Sequence, residues 1–138
     1  MCLVKKSIFP RFTLKDKVVY KIVYLNSLDA YISPFRCDLI ELNKEYKGEW
    51  LNFNLVTSFL TFEIHDGYIH SIKTLKGAIH YIKDHLFTPA YILKAVIPKY
   101  TLYWEGVDND IASRRIKYID KIYKIHGNRE EIYPCGMA

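Results

Sequence analysis

Long apolar runs are missing from this chain: the longest hold about four to five residues, as in Ile22-Val23-Tyr24-Leu25, against the roughly 20 that a membrane-spanning helix requires. No helical transmembrane segment is expected, and no membrane among the partners. Cysteine is scarce, with Cys2, Cys37 and Cys135 as the full set. No C-x-x-C occurs and the nearest two lie 35 positions apart, which argues against structural zinc and for reduced thiols. Cys2 and Cys135 are the pair that meeting termini would bridge. With 6 glycines and 5 prolines, the chain shows no low-complexity block, linker or internal repeat. Lys5 and Lys6 are followed by Ser7-Ile8-Phe9-Pro10-Arg11, which has neither a long apolar region nor a small-residue cleavage site. A signal peptide is therefore not expected, and cytosolic synthesis is.

What is present is core-forming. Half of the 138 residues are hydrophobic and 25% are charged, the balance of one folded domain that needs no covalent staple. Lysine and arginine outnumber aspartate and glutamate by 20 to 15, a net charge of +5, and there are 12 tyrosines. Positive charge draws anionic partners, and tyrosine rings stack on bases.

Val18-Val19-Tyr20-Lys21-Ile22-Val23-Tyr24-Leu25 is rich in β-branched and aromatic residues and closes on a polar turn at Asn26-Ser27-Leu28-Asp29, predicting a strand and a hairpin. Ala30-Tyr31-Ile32-Ser33 resumes extended character until Pro34, so the second strand is expected to be short and at an edge. Residues 38–42 and 45–50 predict strand fragments linked by a tight turn at Asn43-Lys44. Residues 59–65 run into Asp66-Gly67, the strongest hairpin signal present, with residues 68–72 as the return arm.

Thr74 offers an N-cap hydroxyl, and Leu75, Ala78, Ile79, Ile82 and Leu86 recur at helical spacing, predicting one helix over residues 74–87. Gly77 lowers its propensity by about 1 kcal/mol relative to alanine, and close approach of the helix to a sheet would explain the residue. Thr88-Pro89 stops the helix. Residues 91–97 and 101–105 predict strands separated by the turn Pro98-Lys99, and Gly106-Val107-Asp108-Asn109-Asp110 is turn chemistry. Residues 111–125 suit either a helix or strands; the β-branched and aromatic content favours strands. From His126 to Ala138 periodicity is lost, and this tail is expected to be mobile unless it docks.

Candidate chemistry is thin. Glu63, His65 and His70 would meet only at a solvent-exposed hairpin tip, with no fourth metal ligand specified. His80 and His85, five apart on the helix, diverge by about 140°, unlike a zinc-binding pair four apart. Cys2 would become an N-terminal thiol if Met1 were removed, the arrangement of class II glutamine amidotransferases, but Leu3 stands where their pattern has glycine. Arg11, the run from Tyr31 to Phe35, and Glu130-Glu131 follow the order of an ADP-ribosyltransferase. The final step fails because adjacent glutamates alternate in direction on a strand. Arg114-Arg115-Ile116-Lys117-Tyr118-Ile119-Asp120-Lys121-Ile122-Tyr123-Lys124 interleaves cations with apolar residues. It describes either a groove for an anionic chain or a strand or helix with one buried face and one solvated cationic face.

Tyr20-Lys21-Ile22, Tyr31 through Phe35, Gly67-Tyr68-Ile69-His70-Ser71, Ile97-Pro98-Lys99 through Tyr103 to Gly106, and Ala112-Ser113 follow one another in an order that resembles small uncharacterised proteins of bacteriophages and mobile elements, especially of Bacteroides-type hosts. The likeness covers about residues 1–125. Those proteins commonly read Pro-Lys-Gly-Thr where this chain has Pro98-Lys99-Tyr100-Thr101, which suggests a different turn geometry here. The resemblance implies an origin and no transferable activity.

The expectation is an α+β fold: residues 1–125 form one domain, a bent, mostly antiparallel sheet or partial barrel with one helix over about residues 74–87 packed on it, and residues 126–138 form the tail. The expected function is non-catalytic, that of a phage or mobile-element accessory protein binding a host or virion protein, in the host cytoplasm or the virion, with neither cofactor nor metal. Two alternatives stand beside it. One is an anionic ligand, nucleic acid or a nucleotide signal, held by a basic, tyrosine-rich face; the other is an enzyme using Cys2 or a site centred on His70. The candidate ligand-binding residues are Arg114, Arg115, Lys117, Tyr118, Trp104 and His70.

Overall fold

A computed structural model describes residues 3–4, 11–25, 31–32, 39–47, 63–64, 69–85, 90–126 and 129–132. The strands, in chain order, are β1 (Leu3–Val4), β2 (Arg11–Phe12), β3 (Lys17–Leu25), β4 (Tyr31–Ile32), β5 (Leu39–Ile40), β6 (Glu45–Lys47), β7 (Glu63–Ile64) and β8 (Ile69–Ile72). After the helix α1 (Leu75–His85) come β9 (Ala90–Ile97), β10 (Leu102–Glu105), β11 (Asp110–Ser113), β12 (Arg115–His126) and β13 (Arg129–Ile132). The fold is α+β, mostly antiparallel sheet with one helix among the described residues.

The main sheet runs in the order β13-β12-β9-β3-β8-β11-β10-β2 and does not close. Consecutive strands β11 and β12 sit four places apart in that order, about 19 Å in a flat sheet. The chain between Ser113 and Arg115 reaches no more than about 7 Å. The sheet must therefore curl until its two halves are joined at Arg114, which is what a partial barrel is.

Curling creates an inner core. Val19, Val23, Tyr91, Leu93, Ala95 and Ile97 from the middle strands pack in one cluster with Tyr103 and Ile111 from one side and Ile116 and Tyr118 from the other. On the outer face Ala78 and Ile82 of the helix lie against Ile22, Ala90, Ile92, Tyr123 and Ile125. Strand β9 is buried on both faces along its first four residues, which explains its near-continuous apolar sequence.

Helix α1 starts as expected: the Thr74 hydroxyl accepts from the Gly77 amide at 3.0 Å, and the Thr74 carbonyl from Ala78 at 3.0 Å. A Cβ on Gly77 would sit 2.9 Å from the Thr74 hydroxyl and 3.4 Å from Ile72, so both the cap and the close approach to β8 account for the glycine. The expected end of the helix, beyond His85, lies outside the described residues.

Three expectations change. Strands β7 and β8 do not form a hairpin: β7 pairs with β1 in a separate two-stranded sheet, whereas β8 pairs with β11 and β3. Asp66-Gly67 itself lies outside the described residues; long-range pairing outweighed the local turn signal. Strand β4 is short but not an edge, since β3 flanks it on one side and β5 on the other. The C-terminal segment docks in part, with Arg129–Ile132 pairing along β12 from His126 to Tyr123. Residues 111–125, where the β-branched and aromatic content favoured strands over a helix, are strand on both sides of Arg114. Cys2, Cys37, Cys135 and His65 lie outside the described residues.

Candidate functional site

The six predicted site residues do not converge. Trp104 is fully buried on β10, opposite Ala112, which in turn faces His70 across β11 and β8. His70 presents its carbonyl to the Lys21 ammonium, which donates to it at 2.7 Å. Tyr118 is buried in the inner core with its ring edge-on to Tyr46 at 5.5 Å. Because Trp104 and Tyr103 are neighbours on one strand, Trp104 faces away from the cluster that holds Tyr103 and Tyr118. Arg114 occupies the corner and donates its amide to the Leu102 carbonyl at 3.2 Å.

Arg115 and Lys117 do come together, on the side of β12 opposite Ile116 and Tyr118, where Glu45 faces Lys117 across β6. The Arg115 Nε donates to Glu45 Oε1 at 2.5 Å. That hydrogen bond, with the charges of Arg115, Lys47 and Lys117 behind it, holds the Glu45 carboxyl below the usual carboxylate range. Over residues 115–118 the alternation of cations and apolar residues thus resolves into a buried apolar face and a cationic face already facing a carboxylate.

Further along β12, two bulges, between Tyr118 and Asp120 and between Lys121 and Tyr123, reverse the alternation and then restore it. Lys121 is thereby placed opposite Leu93, on the inner side, and its ammonium lies 5.3 Å from the Tyr91 ring, with that of Lys124 at 5.7 Å. Tyr31 meets the same ring edge-on at 6.2 Å, and burial, with Tyr91 second, pushes its phenol above the ordinary range.

A different cluster emerges where residues 11–17 meet the turn after β9. The Thr13 hydroxyl donates to the Pro98 carbonyl at 2.7 Å and accepts from the Thr101 amide at 2.8 Å. The Thr13 carbonyl accepts from the Tyr100 amide at 2.7 Å, and Asp16 accepts from the Lys99 amide at 2.9 Å. This clamp fixes Tyr100 at φ 63°, in the left-handed region, where a side chain is strained and glycine is at ease. The turn therefore has a backbone conformation that glycine favours.

The strained residue is also solvent-facing. Tyr100 is 61% exposed and stacks on Phe12, 53% exposed, with centroids 6.2 Å apart and planes inclined by 30°. Lys99 holds its ammonium 5.5 Å from the Tyr100 centroid, and Leu14, 81% exposed, stands beside the clamp. Arg11 and Lys15 are exposed on the same segment, and Lys17 lies over Tyr103 at 5.6 Å. Arg11 also lies 3.7 Å from Glu105, a buried carboxylate that Lys73 approaches from another side at 3.7 Å. An exposed aromatic stack with a lysine ammonium beside it and further cations on the same segment can receive flat and anionic groups. Sequence reasoning missed this tip because its halves are 88 positions apart. The one local signal was a tyrosine in a turn that wants glycine.

Among the described residues no group of three or more histidine, cysteine, aspartate or glutamate side chains is arranged to hold a metal ion. No helix among them is long and apolar enough to cross a membrane. Neither protein-family models, nor curated proteins, nor solved structures yield a match to this chain.

Proposed function

We propose that this chain is a binding module for an anionic partner, docked on the tip made by residues 11–15 and 99–100, and that it serves a bacteriophage or mobile element as a non-catalytic accessory protein. The observation that supports this reading is the Phe12–Tyr100 stack: two large rings kept more than half exposed, one of them on a strained backbone. Folding alone favours burial of such rings and a glycine at such a position. A net charge of +5 sets the sign of the partner. An acidic host or virion protein is the second reading, favoured by Leu14, whose exposed aliphatic side chain adds contact area but no stacking.

Capture from bacterial lysate with the wild-type chain and a Phe12→Ser/Tyr100→Gly variant as parallel baits tests the proposal. A salt-sensitive species held by the wild type and lost from the variant is the expected result. Identical retention by both baits overturns it.

A further inference from the structure

We infer that the anionic partner of the tip is single-stranded nucleic acid, with a base stacking on the Phe12–Tyr100 pair and the backbone phosphates meeting Lys99, Lys15 and Arg11. The inference rests on the binding reading above and names the partner class.

Three observations favour a nucleic acid strand over an acidic protein surface. First, the rings lie within 30° of parallel, and flat stacking is the mode in which aromatic side chains receive bases, whatever their sequence. Second, an ammonium accompanies the outer ring, Lys99 over Tyr100 at 5.5 Å, so one short element supplies both a stacking surface and a phosphate contact. Third, residues 11–17 carry Arg11, Lys15 and Lys17 against one carboxylate of their own, Asp16, whose oxygen accepts from the Lys99 amide at 2.9 Å, while Arg11, its side chain 63% exposed, shares the Glu105 carboxylate with Lys73 at 3.7 Å. The Asp16 contact keeps Lys99 and Tyr100 beside the basic segment. Duplex nucleic acid hides its base faces, so the stack selects for single strands. A turn that holds tyrosine at φ 63° adds no core packing, and a stacking partner is what gives the exposed ring a use.

Fluorescence anisotropy with a labelled oligothymidylate of about 20 nucleotides is the test, with a duplex of equal length and polyglutamate as competitors. The wild type is expected to bind the single strand in preference to the duplex. Affinity should fall about 20-fold between about 50 and 200 mM salt, the loss for roughly three phosphate contacts on a single strand. Tyr100→Gly, a change the backbone conformation welcomes, is expected to weaken binding by about 5-fold or more, whereas Tyr100→Phe, which keeps the ring, binds as the wild type does. Lys99→Gln lowers the salt slope by about 0.7. Equal binding by wild type and Tyr100→Gly, or equal affinity for duplex, overturns the inference. If the oligonucleotide fails to bind while lysate capture still distinguishes wild type from the double variant, the nucleic-acid assignment falls and the binding module stands, with an acidic protein as its partner.

Discussion

Two regions of this molecule have nearly the same composition and opposite fates. Strand β12 carries Arg115, Lys117, Lys121 and Lys124 among Ile116, Tyr118 and Tyr123; the tip carries Arg11, Lys15, Lys17 and Lys99 among Phe12, Leu14 and Tyr100. In β12 the rings are inside: Tyr118 and Tyr123 belong to the inner and outer cores, and the cations are disposed around them against Glu45 or the Tyr91 ring. At the tip the rings are outside and the backbone is strained to keep one of them there. A basic, aromatic stretch is therefore no evidence of an interaction surface until the exposure of its rings is known. In β12 the same residue types serve the fold.

The largest effect that would separate the two regions is on stability. Replacing Tyr118 or Trp104 by alanine removes a buried ring and should lower stability by about 3–5 kcal/mol, a fall of roughly 10–20 °C in the unfolding midpoint. A loss below about 1 kcal/mol for both would mean that those rings are not core, and the candidate surface on β12 would be restored.

Next comes Tyr100→Gly, where stability and partner binding move in opposite directions. Relief of the left-handed strain, about 1–2 kcal/mol, outweighs or balances the added freedom of glycine in the unfolded chain, so the unfolding midpoint should stay level or rise while partner binding falls. A drop of several degrees by differential scanning calorimetry would show that the ring packs structurally.

The smallest effect concerns Arg115 and Glu45, a half-exposed pair worth under about 1 kcal/mol. Because the Glu45 carboxyl is held below its usual range, the pair contributes stability above the unfolded carboxylate value, and that contribution is lost as pH falls through the lower folded value. The difference between wild type and Arg115→Ala should therefore be small at neutral pH and vanish in acid, as followed by chemical denaturation. Glu45→Gln, which releases Arg115, should leave oligonucleotide affinity unchanged; tighter binding would return the interface to β12.

Much of the fold was legible from local pattern. Thr74 capped the helix where its hydroxyl and the stripe from Leu75 to Ile82 indicated, and the strands at residues 17–25, 90–97 and 102–105 follow from β-branched and aromatic runs punctuated by proline and glycine. The alternation within β12 was legible as well, including the possibility that it merely separates a buried face from a charged one. The hairpin expected at Asp66-Gly67 was not realised as a β7–β8 pair, because β8 finds longer-range partners in β11 and β3. Of the site, His70 and Trp104 were legible as neighbours of turn and strand, but the full burial of Trp104 was not, since a tryptophan in a strand reads the same on either face.

What the amino-acid sequence by itself determined is the inventory: strands of period two, one amphipathic helix with its cap, turns at Pro98 and Gly106, and a surplus of positive charge. Tertiary structure alone decided which strand faces turn inward, because that follows from the curl that brings β11 back to β12 through a single residue. It also decided where the exposed stack forms. Phe12 and Tyr100 become neighbours through the clamp between Thr13 and Thr101, 88 positions apart in the chain, and no local preference encodes a contact of that range.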